Sequence, residues 1–155
     1  MDLATLIRTQ RVAALGTLYQ GAPLVSLVPY AVAPNFGAFY IHISRLAQHT
    51  EAILADARVS LMIAEPDVPD ANPQTLARLS LRGEAAPDPG AKDAYLARFP
   101  DAAFNFTLAD FTLYRITPVA ARFVGGFGRI ADLSPADLTR AATLPSSQPP
   151  FHRPH

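Results

Sequence analysis

The 155-residue sequence has no cysteine, one lysine and no surplus charge of either sign. Without cysteine there is no disulfide, no thiolate nucleophile and no cysteine-held metal cluster. Lys92 is the single lysine, so Schiff-base chemistry would rest on one residue in a polar stretch with no sign of burial; it is set aside. Thirteen basic residues balance thirteen acidic ones, and no global field draws the chain to nucleic acid or to an anionic membrane. No apolar run is long enough to span a bilayer. Met1-Asp2-Leu3-Ala4 lacks the basic-then-apolar layout of a secretion signal, and a cytoplasmic location is expected. Hydrolase machinery is also missing: there is no nucleophile elbow, and no serine stands with a histidine and an acid in recognisable context.

What is present is apolar. Half of the residues are hydrophobic and 17% are charged, which excludes a disordered chain. A chain of this length makes about one domain and buries roughly 70% of its unfolded surface, enough for a core without staples.

The dominant pattern has period two, broken by turn residues, and predicts strands. Arg11 to Leu18 is the first, closed by the turn Gln20-Gly21-Ala22-Pro23. Leu24 to Val32 and Ala38 to Ile43 follow, on either side of Pro34-Asn35-Phe36-Gly37. Ser44 to Asp56 changes to a helical period, with Leu46, Ile53 and Leu54 on one stripe and Ser44 as N-cap. Arg58 to Ala64 returns to strand, and the proline-rich, acidic Glu65 to Pro73 is a surface loop. Thr75 to Ala85 is a fifth strand, with Arg78, Ser80, Arg82 and Glu84 on one face. A short helix over Pro89 to Phe99 and a sixth strand over Asp110 to Thr117 come next, with Ala121 to Val124 as its continuation after Pro118. Ser134-Pro135-Ala136-Asp137 opens a last helix: serine cap, N1 proline, early acid. The expected architecture is mainly β with peripheral α, a closed or split barrel of six to seven antiparallel strands with two to three short helices. Residues 1–140 form the domain and 141–155 a loose, proline-rich tail.

Three stretches can carry chemistry. In Ser44-Arg45-Leu46-Ala47-Gln48-His49-Thr50, cations stand at the pole of the expected helix where acids usually stand. Each such charge costs about 0.3–1 kcal/mol, and a bound phosphate would reverse the sign; a solvated arginine with a surface histidine is the alternative. Gly125-Gly126-Phe127-Gly128-Arg129 either lets backbone approach a flat ligand or makes a plain turn. Arg78 and Arg82 either meet a ligand from one strand face or are solvated at an edge. His42, alternating with Tyr40 and Ser44, reads as structural.

In order along the chain, these pieces resemble the FMN-binding split-barrel superfamily, the pyridoxamine-phosphate-oxidase-like proteins. The residues that carry the likeness are Ala14–Leu18, Gly21–Tyr30, Ile43–Thr50, Arg58–Leu61, Arg78–Gly83 and Arg122–Arg129, spanning roughly Leu3 to Leu138. The branch most similar is that of the haem-utilisation, haem-oxygenase-like proteins. The resemblance implies a homodimer with two FMN sites at the subunit interface. It places Ser26, Leu27 and Val28 beside the flavin ring, and Ser44, Arg45, His49 and Thr50 at the phosphate. It places Arg78 on the flavin, and Phe127, Gly128 and Arg129 across from the partner chain. The arginine–histidine elements that grip substrate in true pyridoxamine-phosphate oxidases have no match, so vitamin B6 synthesis is not expected. The extra C-terminal domain of many haem-utilisation relatives has no counterpart either. Some of those relatives bind haem through a histidine near the C-terminus, a place His152 or His155 would take here. Three functions stay open: an FMN-dependent oxidoreductase acting on a small molecule, a haem-binding or haem-degrading protein on the same scaffold, and a non-catalytic dimeric binding module. No catalytic residue is assigned.

Overall fold

A computed structural model of the protein describes residues 1–126 and 128–146. One antiparallel sheet organises the chain. Its path runs β2 (Ala22–Pro29), β1 (Val12–Tyr19), β5 (Arg58–Ala64), β6 (Arg78–Pro87), β7 (Phe111–Val124), β4 (Phe39–Ser44), β3 (Ala31–Val32), with β8 (Ile130–Leu133) also paired to β7. The two edge strands, β2 and β3, are consecutive in sequence and separated by Tyr30 alone. The sheet therefore curls until its edges meet at one bend, which makes the barrel split. Tyr30 fixes that bend. It is buried, its hydroxyl donates to the Ile7 carbonyl at 2.7 Å, and its amide donates to the Arg11 carbonyl.

The inner face follows from alternation. Leu15, Leu61, Ile63, Leu79, Leu81, Ile41, Phe39 and Ile116 are fully buried there, one from every second position of their strands. The helix α1 (Leu3–Thr9) adds Leu6 and Ile7, and Asp2 caps it by accepting from the Thr5 amide. The helix α4 (Pro135–Ala141) adds Leu138 and starts with the expected Ser134 cap, here a reciprocal box with Asp137. Arg8 of α1 donates to the carbonyls of Ala142 and Leu144 just past α4, tying the two helices together.

A second, smaller core lies on the outer face of β4 and β7. There α3 (Lys92–Arg98) and a 3₁₀ segment (Pro100–Thr107) cover His42 and Leu113 with Tyr95, Phe99 and Phe106. The mainly-β split barrel read from the sequence is the observed fold, with differences of detail. The predicted strand Leu24 to Val32 is two strands divided at Tyr30. The predicted sixth strand and its continuation are one, with Pro118 and the outward-bulged Val119 tolerated where the β6 register shifts at Gly83. Helix α1, the Pro100–Thr107 segment and β8 were not anticipated, and the described residues hold four α-helices with three short 3₁₀ segments.

Candidate functional site

The corner that joins β4 to α2 (Gln48–Ala55) differs from its sequence reading. Ser44 is not the cap of α2. It ends β4, and its hydroxyl accepts from the Leu46 amide at 3.1 Å, two residues on, in a tight local turn. The cap position is Ala47, which has no side chain to offer. Arg45 thus lies outside the helix, and the first turn carries Glu51, the charge a helix start favours. The premise that cations crowd the wrong pole of this helix does not hold. Thr50 is fully buried and donates its hydroxyl to the Ser44 carbonyl at 2.5 Å, so it is a structural staple of the corner. Asp110 clamps the corner from the turn just before β7. Its carboxylate accepts from the Ser44 hydroxyl at 3.1 Å and its carbonyl from the Arg45 amide at 2.6 Å. The Arg45 guanidinium donates to the Ala109 carbonyl at 2.9 Å. Burial holds the His49 imidazole below its usual pKa, favouring the neutral ring.

The other expected positions are spread over the barrel. On β2, Ser26 pairs with Leu15 and shares its inward face, Leu27 points outward, and the Val28 side chain is in the core, leaving only its backbone to meet a ligand. Arg78 does share an outer face with Ser80, Arg82 and Glu84, as the alternation predicts, but its guanidinium donates to the carbonyls of Gln74 and Leu76. Gly125 to Arg129 is the turn of the β7–β8 hairpin: the Gly125 amide donates to the Arg129 carbonyl, and Gly126 and Gly128 take positive φ. Phe127, His152 and His155 lie outside the described residues.

The strip Arg78 to Glu84 that the sequence singles out is one part of a larger feature it does not reveal, the bare outer face of β2, β1, β5 and β6. Val25, Gly16, Ser60, Arg82 and Ala120 pair across five strands in one row. A side chain at Gly16 would collide with Ser60 Oγ, so the middle of this row is flat. Around it Val25 is 71% exposed, Leu27 74%, Val119 57% and Met62 44%, an unusual cluster of uncovered apolar side chains. Two adjoining grooves of about 480 and 690 Å³ cross the face and share Ser60, Arg82 and Val119. Arg82 has no hydrogen-bond or ion-pair partner among the described residues, whereas Arg58 is held by Asp56 and Arg122 by Asp132. In the wall of the first groove, Thr17 carries the one buried side-chain polar atom without a partner among the described residues. Beyond Arg78 and Arg82, only the exposed period-two positions signal this face, and they look the same as any solvated face. Among the described residues no three histidine or acidic side chains converge as metal ligands, and no helix is long and apolar enough to cross a membrane.

The chain belongs to the pyridoxamine 5'-phosphate oxidase family, which it matches over residues 2–125. It is 34% identical over 113 residues to the chloroplastic heme oxygenase HOZ of Arabidopsis thaliana, covering 70% of this chain and 33% of that protein. It is 31% identical over 129 residues to heme oxygenase HutZ of Vibrio cholerae, covering 77% of this chain and 71% of the other. Among solved structures, a heme binding protein from Mycobacterium smegmatis superposes with a TM-score of 0.80 at 26% identity, over 88% of this chain and 58% of that one. The chain thus spans about a third of the first curated relative and most of the second.

Proposed function

We propose that the protein binds haem and takes part in its degradation, as a homodimer whose copies meet over the bare outer face. The observation that carries this reading is the pair of adjoining grooves with a free Arg82 between them, in a chain whose relatives are named for haem. Haem is a flat apolar ring with two carboxylates. A flat row of small residues bordered by valine, leucine and methionine suits the ring, and an unpaired guanidinium suits a carboxylate. The exposed apolar surface also suits a second copy, because Arg58, Arg82 and Arg122 alternate there with Glu84 and Asp132 and would meet opposite charges in a twofold arrangement. Bound haem would supply the reactivity with dioxygen; the chain's residues would hold and orient the ring and exclude water. His152 and His155 are the candidates for an iron ligand.

The competing reading is an FMN-dependent oxidoreductase. It rests on family membership and on Arg45, whose guanidinium spends one N–H on Ala109 and keeps others free. In it, Ser26 to Val28, Arg45, His49, Arg78 and Phe127 to Arg129 would contact the flavin. One titration separates the two. Purified protein given haem should develop a saturable Soret band at one haem per chain. Arg82→Ala should weaken haem binding about tenfold, and His152→Ala with His155→Ala should change the band's position. Flavin bands in the purified protein, with no Soret response, would reject the haem reading.

A further inference from the structure

In flavin mononucleotide the group that distinguishes it from riboflavin is a phosphate monoester, and in this fold the corner at Ser44–Thr50 is where the resemblance places it. The donors of that corner can be counted. Ser44 has one hydroxyl proton. It goes to Asp110, because a carboxylate accepts and has none to give, and the Leu46 amide takes one of the hydroxyl's two acceptor lone pairs. Thr50 has one hydroxyl proton, and it goes to the Ser44 carbonyl inside the core. The Arg45 amide is taken by the Asp110 carbonyl. His49 favours its neutral form. What is left for an anion among the described residues is the remainder of the Arg45 guanidinium, the one ring N–H of a neutral His49, the Gln48 side-chain amide and the Gln48 and His49 backbone amides that open α2, with the Asp110 carboxylate within hydrogen-bond distance of the hydroxyl a phosphate would need.

We infer that Asp110 is a specificity-determining residue of this corner: it takes the Ser44 proton and sets a negative charge where a phosphate would sit, so the corner discriminates against phosphate monoesters. Donors remain at the corner, so the Asp110 charge, rather than a lack of donors, is what sets it against the FMN phosphate. The inference goes beyond the haem reading and does not depend on it, since haem binding is read in the Soret region and phosphate discrimination by comparing two flavins. Asp110→Asn removes the charge with almost no change of shape. The amide can also turn its NH₂ toward Ser44 Oγ and release the hydroxyl proton outward.

The test measures the dissociation constants of FMN and riboflavin by flavin fluorescence, for the wild-type chain, Asp110→Asn, and Asp110→Asn with Arg45→Ala. The two ligands differ only by the phosphate, so their ratio isolates it. The wild type should show no more than about a twofold preference for FMN. Asp110→Asn should raise that preference about tenfold or more, and adding Arg45→Ala should remove the gain. A tenfold FMN preference in the wild type would overturn the inference, as would an unchanged ratio in Asp110→Asn or no FMN binding by it. If the amide variant melts well below the wild type, Asp110→Ser is measured in its place against the same expectations.

Discussion

The outer face of this sheet is treated in two ways. Over β4 and the first half of β7, the chain covers it with its own residues: α3 and the 3₁₀ segment lay Tyr95, Phe99 and Phe106 across His42 and Leu113. Over β2, β1, β5 and β6, the same face stays bare, with Val25, Leu27 and Met62 turned to solvent around the flat Gly16–Ser60 pair. A sheet face with valine, leucine and methionine gains by being covered, at roughly 25 cal/mol for each Å² of apolar surface removed from water. Where the fold needs only stability, the chain provides the cover itself. The uncovered half, where Arg82 has no partner among the described residues, is the ground for the proposal that a second copy and a ligand provide its cover.

Substitutions on the two halves should behave differently, and the largest effect belongs to the covered half. Tyr95→Ala removes the central ring of that cover and should cost about 3–5 kcal/mol in chemical denaturation. A cost under about 1 kcal/mol would mean α3 is not a true cover. His42 gives a smaller effect that depends on pH. Burial against Phe106 and Tyr95 holds its pKa below the usual value, so the unfolded chain binds protons that the folded one does not. Its contribution is complete above about pH 6.5 and is lost as the pH falls below that value toward the depressed folded pKa, with His49 adding a change of the same sign. His42→Phe keeps a stacked ring and should reduce the drop in melting temperature between about pH 7.5 and about pH 5.5; an undiminished drop would place the pH sensitivity elsewhere. The smallest effect on folding belongs to the bare half. Leu27→Asp should change the stability of the single chain by no more than about 0.5 kcal/mol while reducing the sedimenting mass by half. A variant that is destabilised and still dimeric would put the interface on another face.

The barrel was legible because alternation is a local signal. Arg58–Val59–Ser60–Leu61–Met62–Ile63–Ala64 shows it without interruption, and β5 occupies those seven residues. Ser134 was legible because a serine, a proline and an early acid act together at a helix start. Ser44 misled because a serine hydroxyl can accept from a nearby amide in a turn as readily as in a helix cap, and the sequence does not say which. Tyr30 interrupts a run of strand-forming residues, and its bend is set by contacts with Ile7 and Arg11 that no local pattern reveals. Asp110 shows in the sequence only as a residue at the edge of a strand, since its partner Ser44 lies 66 residues away. The bare face was the least legible. An exposed alternate position looks the same whether water, a ligand or another copy covers it, and only the assembled sheet shows Val25, Leu27, Met62 and Arg82 side by side.

Sedimentation velocity of the haem-loaded protein, followed in the Soret region, tests the central claim most directly. The haem absorbance should travel with a species of twice the 16.6 kDa chain mass, and Leu27→Asp should abolish that boundary. Haem that sediments with single chains, or a dimer boundary that survives the substitution, would contradict the assignment of the bare face as the shared surface for haem and partner.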